Sequence, residues 1–168
     1  MINIVKEQNI ALNQIYKKQS ELYHNYAVRY GFSDAAFWVL YSLCETDETY
    51  TQNALAEMWC VPKQTVNSAI SSLVKSGFIK LEQIAIARNS KAVKLTTQGE
   101  KICASIIIPL IEAEQRALSK MTEMERNMFI ALSEKQYKLF QREIDTIYQN
   151  SEAEVQADAE TEGGHQTK

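Results

Sequence analysis

Residues 51–77 read TQNALAEMWCVPKQTVNSAISSLVKSG, and the spacing inside this stretch predicts two helices joined by a very short turn. Thr51 is an N-cap, because its hydroxyl can accept from an otherwise unpaired amide of the first turn. Leu55, Met58 and Trp59 then share one helical stripe. Pro62 suits the first position of the next helix, where its fixed φ is already helical and its missing N–H would have had no partner. That places the turn at Cys60 and Val61. Val66, Ala69, Ile70, Leu73 and Val74 recur at i, i+3, i+4, i+7 and i+8, which predicts a single buried face. Gly77 closes the helix where a left-handed residue is easiest.

The outer face of that second helix, 62–76, is left with Lys63, Gln64, Thr65, Asn67, Ser68, Ser71 and Lys75. Short hydrogen-bonding groups with two cations are the equipment for reading base edges and phosphates in a major groove about as wide as one helix. A merely solvated helix would more often carry Glu and Lys there, since they form helices better than Ser, Thr or Asn. No acid lies between Pro62 and Gly77. The same residues also suit an ordinary amphipathic helix with a Ser-rich exposed face.

Outward from this pair, the upstream sequence predicts a long helix from about Ile4 to Tyr30, with Leu12, Ile15, Tyr16, Leu22, Tyr23, Tyr26, Ala27 and Tyr30 as its apolar stripe and Gly31 as its stop. A second helix begins at the cap Ser33 and passes through Phe37, Leu40, Tyr41 and Cys44 to the polar turn ETDET. Downstream of Gly77, the runs FIKLEQ and AVKLT alternate apolar and polar residues around Arg88, Asn89 and Ser90, which predicts a two-stranded hairpin. Thr97 caps a further long helix carrying Ile102, Ile106, Ile107, Leu110, Ala113, Ala117 and Leu118, which Pro109 should bend. Thr122 to Glu125 is a capping box opening a last helix to about Asn150.

Composition limits what else the chain can be. The 168 residues are 45% hydrophobic, enough for a proper core, and only 5 Gly and 2 Pro favour helix. No apolar run approaches 18 residues, and Lys6 and Glu7 interrupt any signal-peptide pattern, so the expectation is a cytoplasmic protein with no membrane contact. Cys44, Cys60 and Cys103 make an odd set without C-x-x-C spacing, which fits reduced thiols. The net charge of −3 conceals segregation. Residues 60–98 hold Lys63, Lys75, Lys80, Arg88, Lys91 and Lys94 against Glu82 alone, and local positive charge is what releases counterions from phosphates. Residues 151–168 hold Glu152, Glu154, Asp158, Glu160 and Glu162 against Lys168 and almost no large apolar group, which predicts a disordered acidic tail.

Two short helices, a helix rich in Gln, Thr, Asn and Ser, and a hairpin make a winged helix-turn-helix. With one long helix before it and two after it, the chain resembles a MarR-family transcriptional regulator over about residues 4 to 150. The likeness is carried by TQNALAEMWCVPKQTVNSAISSLVKSGFI and by KLTTQG, where the family typically has a Leu-Thr-x-x-Gly run. The fold expected is thus mainly α with a small β-hairpin wing: a dimerisation helix (1–32), a winged helix-turn-helix lobe (33–98), C-terminal dimerisation helices (99–150) and the tail (151–168). The resemblance implies a homodimer, acting as a repressor, that reads a palindromic operator in double-stranded DNA with helix 62–76 and wing 84–91. Its DNA-binding set would be Thr51, Gln52, Pro62, Lys63, Gln64, Thr65, Asn67, Ser68, Ser71, Lys75, Arg88, Asn89, Ser90 and Lys91, with Lys94 also on the backbone. Leu12, Ile15, Leu110, Leu132, Leu139, Phe140, Ile144 and Ile147 would form the dimer. The wing departs from the family: IAIARNSK has Ala85 and Ala87 where an Asp often precedes the arginine.

The resemblance also implies release by a small aromatic effector in a crevice lined by Tyr23, His24, Tyr26, Phe37, Trp38 and Tyr41, although each of these also reads as core packing. No cofactor is implied. A zinc site is disfavoured because the histidines are only His24 and His165. Redox sensing through Cys44, Cys60 or Cys103 stays open, although free cysteines are usually buried hydrophobes. An enzyme is disfavoured, since there is no G-x-S-x-G, no Gly-rich phosphate loop and no H-E-x-x-H. The remaining alternative is a winged-helix module that binds protein instead of DNA.

Overall fold

The computed structural model describes residues 2–46, 48–84 and 91–163, with side chains described between 4 and 151. Two compact units divide the chain, Met1–Glu114 and Gln115–Lys168. In the first, α1 (Ile2–Arg29) and α2 (Asp34–Glu45) precede a short strand β1 (Tyr50–Thr51), the pair α3 (Gln52–Met58) and α4 (Lys63–Lys75), and strands β2 (Ile79–Gln83) and β3 (Lys91–Leu95). Then come α5 (Thr97–Ile102), a π turn (Cys103–Ile107) and α6 (Ile108–Ser119), which enters the second unit. That unit is otherwise α7 (Glu123–Gly163).

The core of the first unit lies where α2, α3, α4, the sheet and the π turn meet. Phe37, Leu40, Leu55, Ile70, Leu73, Ile79, Val93 and Ile107 are all buried there. Each such side chain contributes about 1.5 to 3 kcal/mol relative to exposure. From α1, Ala27 is buried while Tyr23 and Tyr26 pack against the cluster, and the remaining stripe residues Ile15, Tyr16, Leu22 and Tyr30 are exposed.

Three helices of this unit end in the same hydrogen-bonded cap. After α4, the Gly77 amide donates to the Val74 carbonyl at 2.9 Å and the Phe78 amide to Leu73 at 3.0 Å. After α1, Gly31 and Phe32 repeat the pair onto Val28 and Ala27. After α3, Cys60 and Val61 do so onto Glu57 and Ala56. The cap needs a left-handed residue, and φ is +77° at Gly31, +73° at Gly77 and +50° at Cys60. Cys60 carries a Cβ in that region, at a cost of roughly 1 to 2 kcal/mol.

Several expectations are corrected. The expected hairpin of β2 and β3 is present but does not stand alone: β1 pairs with β3, Tyr50 opposite Val93, giving a three-stranded sheet in the order β1-β3-β2. Tyr50 is buried, so the turn after α2 is pulled into the sheet by its ring. Pro62 is the cap of α4 and not its first residue, because its ψ of 134° is extended while its carbonyl already accepts from Thr65 and Val66. Val74 and Met58 are exposed at 41% and 45%, so their stripes are narrower than expected.

The helix expected from Thr97 is capped by Thr96, whose hydroxyl accepts from the Gly99 amide at 3.1 Å. The effect expected of Pro109 appears as the π turn directly before it: Ile108 donates to the Cys103 carbonyl, and the wider turn falls where the proline ring would crowd the preceding backbone. The capping box is as expected, the Glu125 amide donating to Thr122 Oγ1 at 3.2 Å and the Thr122 amide to Glu125 Oε2 at 2.7 Å. These bonds hold the Glu125 carboxyl below its usual range. α7 continues to Gly163, past the expected end near Asn150, through a stretch rich in Glu, Ala and Gln, which are strong helix formers.

Candidate nucleic-acid interface

Helix α4 is held by its inner face and offers its outer one. Val66, Ala69, Ile70 and Leu73 are buried, whereas Pro62, Lys63, Gln64, Thr65, Asn67, Ser68, Ser71 and Lys75 are all exposed. Part of that polar equipment serves the helix itself: Ser68 Oγ donates to the Gln64 carbonyl at 2.9 Å. At the start of α3, Thr51 is half-buried and its hydroxyl accepts from the Ala54 amide at 3.2 Å, so this group is a cap as its sequence position predicts. Gln52 beside it is half-buried.

The far end of α4 is clamped by the KLTTQG run. Thr96 Oγ1 donates to the Gly77 carbonyl at 2.5 Å, and the Thr96 amide donates to the Phe78 carbonyl at 3.0 Å. Gly99 lies so close to that same carbonyl that a Cβ would sit 1.9 Å from its oxygen. The Thr-x-x-Gly spacing therefore has a local cause. One residue must cap α5 while reaching the end of α4, and the other must have no side chain.

Electrostatics in the wing strands are set by one acid. Lys80 and Lys94 stand directly opposite each other across β2 and β3. Like charges so placed repel. Glu82 accepts from Lys80 at 2.7 Å and lies 3.6 Å from Lys94, holding both ammonium groups and having its own carboxyl lowered by them. The acid counted against the basic stretch is thus spent on two of its cations. Lys91 opens β3 and is exposed. Arg88, Asn89 and Ser90, expected at the wing tip, lie outside the described residues.

The six residues expected around a ligand crevice separate into two groups. Phe37 and Tyr41 are core, Tyr41 donating to Glu114 Oε2 at 2.6 Å, and Tyr26 donates to the Ile106 carbonyl at 2.8 Å. Phe37 is fully buried, and the hydroxyls of Tyr26 and Tyr41 are engaged by the π turn and by α6. Tyr23, His24 and Trp38 line a cavity of about 360 Å³, together with Tyr16, Gln19, Ser20 and Asp34. His24 Nδ1 meets both Asp34 oxygens at 2.9 and 3.0 Å. Glu114, which the sequence did not single out, lies behind this wall. It raises the Tyr23 phenol, already pushed up by burial, to about 12, and its Oε1 is buried without a partner.

The thiols differ in setting. Cys103 is buried and Cys44 half-buried against the same core, where a hydrogen bond to Cys103 and then burial push the Cys44 thiol up. Cys60 is exposed, its Sγ 3.7 Å from the Glu57 carbonyl. Among the described residues no three His, Cys, Asp or Glu side chains gather as a metal site needs, and no helix is long and apolar enough to cross a membrane.

Of the residues expected at a dimer interface, Leu12 and Ile144 are half-buried, and Ile15, Leu132, Leu139, Phe140 and Ile147 are exposed. Leu110 instead packs against the core of its own unit.

Comparison with known proteins agrees with this geometry. The MarR family model matches residues 30–85. Among solved structures, the MarR family regulator NMB1585 from Neisseria meningitidis is similar at a TM-score of 0.69 and 20% identity, covering 82% of this chain and 96% of that one. The S. aureus MepR structure in DNA-binding conformation matches at 0.67 and 20% identity, over 78% and 96% of the two chains. The S. aureus MepR–DNA complex matches at 0.62 and 20% identity, again over 78% and 96%. No curated protein sequence matches the chain. Residues 30–85 thus match the MarR family model, within a chain whose fold is that of solved MarR-family regulators.

Proposed function

We propose that this protein is a DNA-binding transcriptional regulator that acts as a homodimeric repressor on a palindromic operator. The observation that carries the reading is the outer face of α4: ten exposed positions from Pro62 to Lys75, with two cations, six polar groups and no acid. Gln64 and Asn67 suit adenine, whose N6 and N7 offer a donor and an acceptor side by side. Thr65 and Ser68 meet neighbouring bases, and Lys63, Ser71, Lys75 and Lys91 hold phosphates. Thr51 and Gln52 approach the backbone at the start of α3, and Arg88, Asn89 and Ser90 extend the contact into the flanking minor groove, where a narrow A·T tract attracts a guanidinium. The fold shared with the MepR–DNA complex supports this orientation.

The dimer rests on side chains the single chain leaves exposed. Leu132, Leu139, Phe140 and Ile147 on α7 and Ile15 on α1 are each 50% exposed or more. Apolar surface on that scale marks a protein contact. Two copies would present their α4 helices to half-sites about one helical turn, roughly 34 Å, apart. The cavity holding Tyr23, His24 and Trp38 receives the small effector that releases DNA.

The test is a salt titration of binding to sites selected from random DNA. A DNA reader loses affinity steeply as salt rises, whereas a protein-binding module has no such slope. Gln64→Ala or Asn67→Ala should cost about 1 to 3 kcal/mol at the selected site and relax base preference, while Lys75→Ala should weaken all sequences alike and flatten the slope. Identical effects on all DNA from both kinds of variant would overturn the base-reading roles. Leu139→Lys should give monomers by sedimentation and abolish the gel shift together; loss of one without the other contradicts the dimeric reading.

A further inference from the structure

The cavity between α1 and α2 has walls of one chemical character. Tyr16, Tyr23 and Trp38 supply aromatic surface, Asp34 supplies a carboxylate, and no Lys or Arg is among the lining residues. The rings are fixed by their neighbours. Trp38 stacks on Trp59 at 4.3 Å between centroids, and Tyr23 meets Trp38 at 4.9 Å with 52° between planes. The carboxylate is fixed as well, by His24 across both oxygens. Behind Tyr23 stands a second carboxylate, Glu114, which takes the Tyr41 hydroxyl on one oxygen and leaves the other buried without a protein partner.

Resting on the reading of this cavity as the effector site, we propose that the ligand class it selects is a small organic cation, such as a quaternary or aromatic ammonium, seated against Trp38 and Tyr23 with its charge toward Asp34. The face of an aromatic ring is the negative end of its quadrupole and attracts cations, most strongly for Trp. A compact carboxylate or phenolate ligand would bring a second negative charge beside Asp34, with no guanidinium or ammonium in the lining to pair with it, and would surrender its hydration for nothing. A neutral aromatic would gain the stacking but no charge attraction to the carboxylates. Only a cation uses both parts of the wall. The volume, about 360 Å³, suits one ring bearing an ammonium group.

The experiment is calorimetric titration of the full chain with benzyltrimethylammonium, benzyl alcohol and benzoate at equal ionic strength. The cation should bind saturably and at least about tenfold more tightly than the other two, the scale of a desolvated cation–π contact with a carboxylate beside it. Asp34→Asn, at an exposed position that leaves the core alone, should weaken the cation by about fivefold or more, and Trp38→Leu should abolish saturation. Benzoate binding as tightly as the cation, no saturable binding of the cation, or an unchanged affinity in Asp34→Asn would each overturn the inference. DNA binding is scored separately by gel shift on the same preparations. A chain that shifts DNA but prefers benzoate loses this inference and keeps the regulator reading; one that binds the cation but no DNA at low salt loses the regulator reading and keeps the cation site.

Discussion

Phe37 and Phe129 are the same side chain on two helices, yet Phe37 is 0% exposed in the first unit and Phe129 is 60% exposed on α7. Around Phe37, residues from α2, α3, α4, the sheet and the π turn close on one another in one buried cluster. On α7, none of the described side chains is buried, and Met124, Met128, Phe129, Leu132, Leu139, Phe140, Ile147 and Tyr148 all remain exposed. Periodicity alone is indifferent to this difference: it says that a face is apolar, not where the matching face comes from. The contrast teaches that the lobe closes its core within the chain, whereas the apolar side chains of the long helix are left for the partner that the proposed dimer would supply.

The largest effect expected concerns the joint that keeps the lobe rigid. Gly99→Ala puts a methyl 1.9 Å from the Phe78 carbonyl oxygen, which is backbone at the end of α4 and cannot give way. A loss of roughly 4 kcal/mol or more is expected, visible as a melting temperature too low to measure or as protein that does not accumulate. Next comes the direct comparison. Phe37→Ala should cost about 3 to 5 kcal/mol in thermal unfolding at any protein concentration. Phe129→Ala should change the stability of the isolated chain little and act instead on the concentration dependence of the melting temperature, as a partner contact does. Equal effects from the two, independent of concentration, would remove the distinction drawn between lobe and helix.

A smaller effect reports on the wall between Tyr23 and Glu114. Burial and then Glu114 raise the Tyr23 phenol from 10.0 to about 12. The neutral phenol is therefore favoured by folding. Its contribution is fully present below pH 10 and is lost as pH rises toward 12, because over that window the unfolded chain ionises the phenol and the folded one does not. Tyr23→Phe should flatten the fall of melting temperature across that range, and the tyrosinate absorbance titration should lose amplitude near pH 12. An unchanged alkaline profile would place the phenol outside the packed wall.

Much of the lobe was legible because its signals are local. The caps at Thr51 and Ser33, the box Thr122 to Glu125, the stops at Gly31 and Gly77, and the inner face of α4 are each fixed by residues within one or two turns. The outer face of α4 was legible for the complementary reason, since a residue that is not needed inside and carries no helix-favouring acid stands out. What could not be read was set at a distance. β1 exists because Tyr50 finds Val93 more than forty residues away in the chain, and two residues carry no periodic signal. Phe37 and Tyr41 share an aromatic helix with Trp38, but which ring faces the cavity and which the core depends on the placement of α1 and α6.

The sequence by itself determined the order of the α-helices and of the β2–β3 hairpin, the left-handed stops at glycine and the acid-poor polar helix, because helix formation, capping and chain reversal are governed by neighbours in the chain. Only the tertiary structure decided that Cys60 would take up a third left-handed cap, that Glu82 would be spent between Lys80 and Lys94, that Gly99 would press on the Phe78 carbonyl, and that Asp34 and Glu114 would flank one aromatic wall. Those are relations between surfaces remote in sequence. Their energies depend on approach distance and exclusion of water, which no single segment contains.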